Sequence, residues 1–230
     1  PWIRVIPQYG ISMTHDGSPE EHYEHRVAAG EYDTNIREIV ENFHSLDRPL
    51  FLRIGYECNG NWNGYEPDTY RAAFRRVVDI LREYEIPCAV VWNVYPPSVP
   101  MEYYPGDDYV DWWSIDLFSS GDCSSSKTRA FLDSAAAHGK PVMIGESTPR
   151  KVGTDDGEQD WNEWFEPYFT LITESPQIKA FSYINWNWAD SPWSNWGDGR
   201  IEANGFVSDA FGAMMRKEIY VHAPPPAATP

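Results

Sequence analysis

Short continuous apolar runs alternate along the chain with longer stretches in which apolar residues recur every three or four positions. Runs such as CAVVWNV and PVMIG have no polar face, the pattern of strands buried on both sides. Strands are expected at 3–12, 50–57, 88–95, 112–118, 141–146 and 180–188. Between them, Tyr70, Phe74, Val77, Val78 and Leu81 share one helical face and predict a helix over 68–84, begun by Pro67 and Asp68. Ile36, Ile39, Val40 and Phe43 predict another over 34–44. Further helices are expected at 128–138, stopped by Gly139, and at 161–173. This strand–helix repeat argues for an α/β fold with a parallel sheet and helices outside it. Each expected strand ends in polar or aromatic residues, as in a closed β/α barrel, where catalytic groups come from the carboxyl ends of several strands. The Gly-rich phosphate loops of open nucleotide-binding sheets are absent from the sequence.

Composition narrows the ligand. The formal charge is −17, from 35 acidic and 18 basic residues, which disfavours nucleic acid and anionic membranes as partners. No apolar run approaches the roughly 18–20 residues of a membrane span. Eleven Trp and fourteen Tyr exceed what a core of this size needs, and sugar rings stack their apolar faces on such side chains. A neutral polysaccharide fits both features. The three cysteines, Cys58, Cys88 and Cys123, allow at most one disulfide within the chain. His15, His22, His25 and His44 lack the spacing of a metal motif such as HExxH, are read as surface residues, and leave the chain with no expected metal site. The Pro/Ala-rich stretch 223–230 reads as a linker towards a further module, which leaves 1–222 as one domain.

Two strands end in a glutamate. FLRIGYECNGNW carries Glu57 and VMIGES carries Glu146. By two-residue alternation Arg53, Gly55 and Glu57 share a face, as do Val142, Ile144 and Glu146, so both glutamates are expected to point into the mouth of one barrel. A pair of facing carboxylates is the minimal apparatus for cleaving a glycosidic bond: one protonates the leaving oxygen and the other, ionised, supplies electron density at the anomeric carbon. The ionised member raises the proton affinity of its neighbour, so the pair differentiates itself. A carboxyl separation of about 5–5.5 Å implies a nucleophile and retention, and about 6.5–9.5 Å implies a bound water and inversion.

These segments carry a family resemblance. RIGYECNGNW resembles the acid/base motif of glycoside hydrolase family 26, whose usual form is Arg-x-x-His-Glu-Met-Asn-Gly-x-Trp. YPGDDYVDWWSIDLF resembles the sixth-strand region of that family and KPVMIGES its seventh strand with the nucleophile, the whole likeness running over about 32–188. The resemblance implies a clan A barrel and a retaining endo-β-glycosidase with no cofactor, secreted to reach a polymer, with β-mannan favoured and β-1,3-xylan or mixed-linkage β-glucan behind. It implies Glu57 as acid/base, Glu146 as nucleophile, and Arg53 lying beneath the nucleophile to hold it ionised. It also implies sugar contacts from Asn59 and Trp62, and a stacking floor from Trp186 or Trp188. Tyr56, Trp92, Asn93, Tyr95 and Asp116 complete the candidate site. Tyr56 stands where the family usually has His, and Phe118 where it usually has a Tyr that hydrogen-bonds the nucleophile, a hydroxyl that Tyr95 or Tyr9 would then replace.

If Glu57 closes strand four and Glu146 strand seven, the strand at 3–12 is the third. The expected fold is therefore a TIM-type (β/α)8 barrel lacking its first two βα units. The alternative is a carbohydrate-binding barrel without catalysis, favoured by Tyr56, Phe118 and the missing strands.

Overall fold

A computed structural model describes residues 5–15, 18–46, 48–96, 99–189 and 191–221. The stretch expected as a linker at 223–230 and the first two residues of the strand expected at 3–12 lie outside them. Six strands form one sheet in chain order, every neighbouring pair parallel: β1 (Gln8–Ile11), β2 (Leu50–Ile54), β3 (Cys88–Val94), β4 (Trp112–Leu117), β5 (Val142–Ser147) and β6 (Ile178–Phe181). Among the described residues β1 and β6 do not pair with each other, so the sheet is an open half-barrel. It is strongly curled: the Gln8 amide on β1 donates to the Gly145 carbonyl on β5 at 3.1 Å, across the hollow of the sheet.

The convex face meets the helices α1 (Tyr23–Ala29), α2 (Asp33–Ser45), α3 (Pro67–Arg82), α4 (Ser126–Ala137), α5 (Glu158–Asp160), α6 (Glu166–Glu174) and α7 (Gly205–Met215). Alternate strand residues such as Leu52, Ile54, Trp92, Trp113, Ile115 and Ile144 are buried there with Tyr70, Phe74, Phe131 and Tyr168, and burial of this layer is the main stabilising contribution. The opposite, concave face carries Arg53, Asn93, Ser114 and Asp116, all buried and polar.

The helix expected over 161–173 is interrupted. Trp161–Phe165 forms a π turn before α6, whose first turn contains Pro167. Proline has no N–H to continue the α-helical ladder and its ring crowds the carbonyl four residues back, which the wider turn relieves. The last strand is also shorter and earlier than expected: β6 ends at Phe181, and Trp186 and Trp188 follow in a loop. Cys58, Cys88 and Cys123 are free thiols.

Candidate active site

The carboxyl ends of β2 to β6 surround a cleft of about 440 Å³. Glu57 and Glu146 both line it. Neither is aimed there by simple strand alternation, which corrects the expectation from period two. β2 ends at Ile54, and both Gly55 (φ 55°) and Glu57 (φ 50°) adopt left-handed backbone. A left-handed glutamate costs on the order of 1–2 kcal/mol and persists only where its surroundings hold it. Here Asn93 Oδ1 accepts from the Glu57 N–H at 2.7 Å, and Asn63 Nδ2 donates to the carbonyls of Tyr56 and Glu57 at 3.0 and 2.9 Å.

Strict alternation from Val142 and Ile144, both packed under the helices, would send Glu146 to the convex side. A register shift against β4 prevents this: Ile115 pairs with Ile144, but Leu117 pairs with Ser147. The extra residue on β5 lets Ser147 return to the helix side, where its hydroxyl donates to the Ser182 carbonyl at 2.7 Å and lies 2.9 Å from Tyr168 Oη, while Glu146 turns into the cleft. Gly145 is required at this bulge. A Cβ there would lie 2.4 Å from Ser114 Oγ and 2.8 Å from Asp116 Oδ1.

The two carboxyls sit in different surroundings. Burial and then the nearby Glu146 charge push the Glu57 pKa up to about 7, against the Trp62 indole, which donates to Glu57 Oε2 at 2.9 Å. Glu146 Oε1 accepts from Arg53 Nη2 at 2.6 Å. Arg53 is itself buried, 7% exposed, with Nη1 at 3.8 Å from Asp116 Oδ1. Burial opposes its charge, but Asp116 and Glu146 outweigh that and hold the guanidinium cationic. Asp116 is fully buried, and desolvation followed by the Glu146 charge raises its pKa well above the usual carboxylate range.

Of the candidate residues, Tyr56, Glu57, Trp62, Tyr95, Glu146 and Trp188 meet at the cleft. Trp92 does not: it is fully buried on the convex side against Trp113, with ring centroids 4.8 Å apart, and is a core residue. Asn93 and Asp116 are also fully buried and cannot touch a sugar, so their place is beneath the site. Arg53 belongs to the same buried layer. Asn59 spans two loops, exchanging hydrogen bonds of 2.8 Å with the backbone N–H and carbonyl of Tyr95, and is not part of the cleft wall. Trp186 is 59% exposed and lies outside the wall. Tyr9 packs against Phe43 at 5.0 Å, away from the cleft, whereas Tyr95 lines it beside Phe118.

Sequence reasoning missed the polar clamp Asn63 and the wall residues Arg150, Ile184, Trp193 and Trp196. Arg150 donates to Ser119 Oγ at 2.7 Å and to Tyr95 Oη at 3.3 Å, and its guanidinium lies 5.3 Å from the Trp196 ring. The tryptophan-dense SPWSNW after the last strand was the available signal.

Comparison with known proteins gives consistent relatives. The family model described as glycosyl hydrolase family 26 matches residues 6–186. A β-1,3-xylanase from an Alcaligenes species is 33% identical over 229 residues, covering 85% of this chain and 49% of that protein. The β-1,3-xylanase TXYA from a Vibrio species is 31% identical over 238 residues, covering 89% of this chain and 52% of that protein. Among solved structures, a family 26 β-mannanase from Bacteroides ovatus superposes with a TM-score of 0.60 at 19% identity, covering 84% of this chain and 60% of the other. The catalytic domain of an endo-β-1,4-mannanase from Bacillus sp. JAMB-750 gives 0.63 at 17% identity, covering 83% and 58%. The chain thus spans about half the length of the curated relatives it matches.

Proposed function

The chain belongs to glycosyl hydrolase family 26, and from that premise we propose that it is a retaining endo-β-glycosidase cleaving a neutral β-linked polysaccharide by double displacement. Glu57, protonated up to about pH 7, gives its proton to the glycosidic oxygen as the bond to the anomeric carbon breaks. Glu146, held against Arg53, attacks that carbon and forms a glycosyl-enzyme. Glu57, now a carboxylate, takes a proton from water, whose oxygen displaces Glu146 and restores both groups. The observation that carries this reading is the pairing of two unlike carboxyls at one cleft, one desolvated with an indole as its side-chain donor and the other held by a guanidinium.

The resemblance in the motifs put β-mannan first. Two relatives above 30% identity are β-1,3-xylanases, while the two mannanases share under 20%, which favours β-1,3-xylan as the substrate, with β-mannan and mixed-linkage β-glucan behind it. A pentose lacks the C6 hydroxymethyl group, which suits a cleft walled by the bulky Trp188, Trp193, Trp196 and Arg150. A polymer substrate would favour a place outside the cell. Among the described residues no helix is long and apolar enough to cross a membrane. The strand order supports β1 to β6 as strands three to eight of a barrel that two further βα units would close. The free β1 edge favours a second reading, in which the half-barrel binds the glycan without cleaving it.

The test is hydrolysis of β-1,3-xylan, β-mannan and mixed-linkage β-glucan, with product anomers followed by NMR. Retained β-anomers from one polymer, lost in Glu146→Gly and restored as a glycosyl azide by added azide, support double displacement. Binding without cleavage of any of the three would favour the second reading, and inverted anomers would make Glu146 a base.

A further inference from the structure

Away from the cleft, where α1 meets α3, two imidazoles and two carboxylates converge. His22 Nδ1 lies 3.3 Å from Glu24 Oε1, and His25 Nε2 lies 3.7 Å from the same oxygen and 3.1 Å from Glu66 Oε2. One donor atom from each of His22, His25 and Glu66 falls within 4.8 Å of the others. His22 caps α1 and His25 stands one turn further on, so both rings share a face, while Glu66 caps α3. Sequence spacing shows the two histidines but not the glutamate that joins them.

Glu24 supplies an independent sign of a cation. It is fully exposed to no solvent, at 0% accessibility, and its Oε2 has no hydrogen-bond partner. Its Oε1 accepts from the Glu66 N–H at 3.1 Å. Among the described residues the basic side chains paired with it are His22 and His25, and no Lys or Arg joins them. A buried carboxylate with an unsatisfied oxygen is costly unless positive charge reaches it.

We propose that His22, His25 and Glu66, beside the buried Glu24 carboxylate, bind one divalent transition-metal ion of the Zn²⁺ class. Tetrahedral Zn²⁺ takes ligands at about 2.0–2.2 Å, which sets neighbouring donors about 3.3–3.5 Å apart. The 3.1 Å between His25 Nε2 and Glu66 Oε2 is close to that spacing, and the His22 donor lies within 4.8 Å of both. Two ring nitrogens select Zn²⁺ over Ca²⁺ or Mg²⁺, which prefer all-oxygen shells. The ion ties the first turn of α1 to the first turn of α3. Because α3 begins where the Glu57–Asn63 segment returns to the core, the tie anchors one end of the loop that carries Glu57.

The experiment strips the protein with EDTA, desalts it and titrates it with ZnCl₂ by calorimetry, with Tm read in parallel. Expected are one ion per chain and a rise in Tm of about 5–10 °C at free Zn²⁺ near a hundred times Kd. The double variant His22→Gln/His25→Gln changes two part-exposed side chains and is expected to lose both responses while keeping its own cooperative unfolding. Glu66→Gln is expected to weaken Kd at least about tenfold. Wild type that takes up no stoichiometric Zn²⁺, or a double variant that binds it as tightly as wild type, overturns the assignment. Displacement of Zn²⁺ by millimolar Ca²⁺ or Mg²⁺ overturns the nitrogen-liganded site. None of these readouts depends on glycan cleavage.

Discussion

The ends of β2 and β5 present the same side chain to the same cleft and surround it differently. Glu57 leaves the end of β2 on a left-handed turn, held by Asn93 and Asn63, with the neutral Trp62 indole as its side-chain donor. Glu146 leaves β5 at a bulge and lies against Arg53. Desolvation and then the Glu146 charge outweigh Trp62, Arg53 and Arg150 and keep the first protonated to about pH 7, while the second lies against the Arg53 guanidinium. Environment rather than residue type divides an acid from a nucleophile, as the reading of the protein as a glycosidase requires.

Exchanging the two carboxyls for amides breaks the comparison most severely. Glu146→Gln and Glu57→Gln are each expected to lower polysaccharide turnover by at least about 10³-fold. They should separate on an aryl glycoside whose leaving group departs without a proton: Glu57→Gln forms the glycosyl-enzyme there and Glu146→Gln does not. Equal behaviour of the two variants on that substrate would remove the division of roles. Next in size is Arg53→Met, which leaves Glu146 and Asp116 without their cation and is expected to cost about 3–5 kcal/mol in denaturant unfolding. A loss below about 1 kcal/mol would make Arg53 a bystander.

Stability against pH gives a smaller, signed effect. The folded pKa of Glu57 lies above its unfolded value of about 4.3, so its contribution is fully present below that value and is lost as pH rises through about 7. Glu57→Gln should therefore match wild type at pH 4 and exceed it by roughly 2 kcal/mol at pH 8, partial exposure discounted. A variant less stable than wild type at pH 8 would contradict the desolvated carboxyl. At Gly145, Ala forces a Cβ into the Ser114–Asp116 layer beneath Glu146 and is expected to cost about 1–3 kcal/mol in chemical denaturation. The smallest effect is at Trp62. Its N–H lowers the Glu57 pKa, so Trp62→Phe should move the alkaline limb of kcat/KM upward by less than about one pH unit. A downward move would reverse the sign assigned to that hydrogen bond.

Much of the scaffold was legible because parallel strands buried on both faces read as unbroken apolar runs. All six expected strands have counterparts, and the helices over 34–44, 68–84 and 128–138 lie within two residues of α2, α3 and α4. Glu57 and Glu146 stood out as bare glutamates at the ends of such runs. Their direction did not follow from alternation, because a left-handed turn and a one-residue bulge leave no periodic trace. The same blindness put Trp92 in the site: it sits next to Asn93, and a run apolar on both sides does not reveal which residues face the helices. The π turn could have been suspected from Pro167 inside an otherwise helical pattern. Arg150, Trp193, Trp196 and Glu66 reach their places from loops or helix caps, where contacts between residues far apart in sequence decide the outcome.

The two carboxyls are joined electrostatically at one cleft only if the titration of one feels the charge of the other. Carbon-detected NMR of the Glu57 side-chain carboxyl, in wild type and in Glu146→Gln, reads this directly. The midpoint is expected at about pH 7 in wild type and clearly lower in the variant, still above an ordinary glutamate because burial remains. An ordinary midpoint in wild type, or one that Glu146→Gln leaves unmoved, would contradict the account.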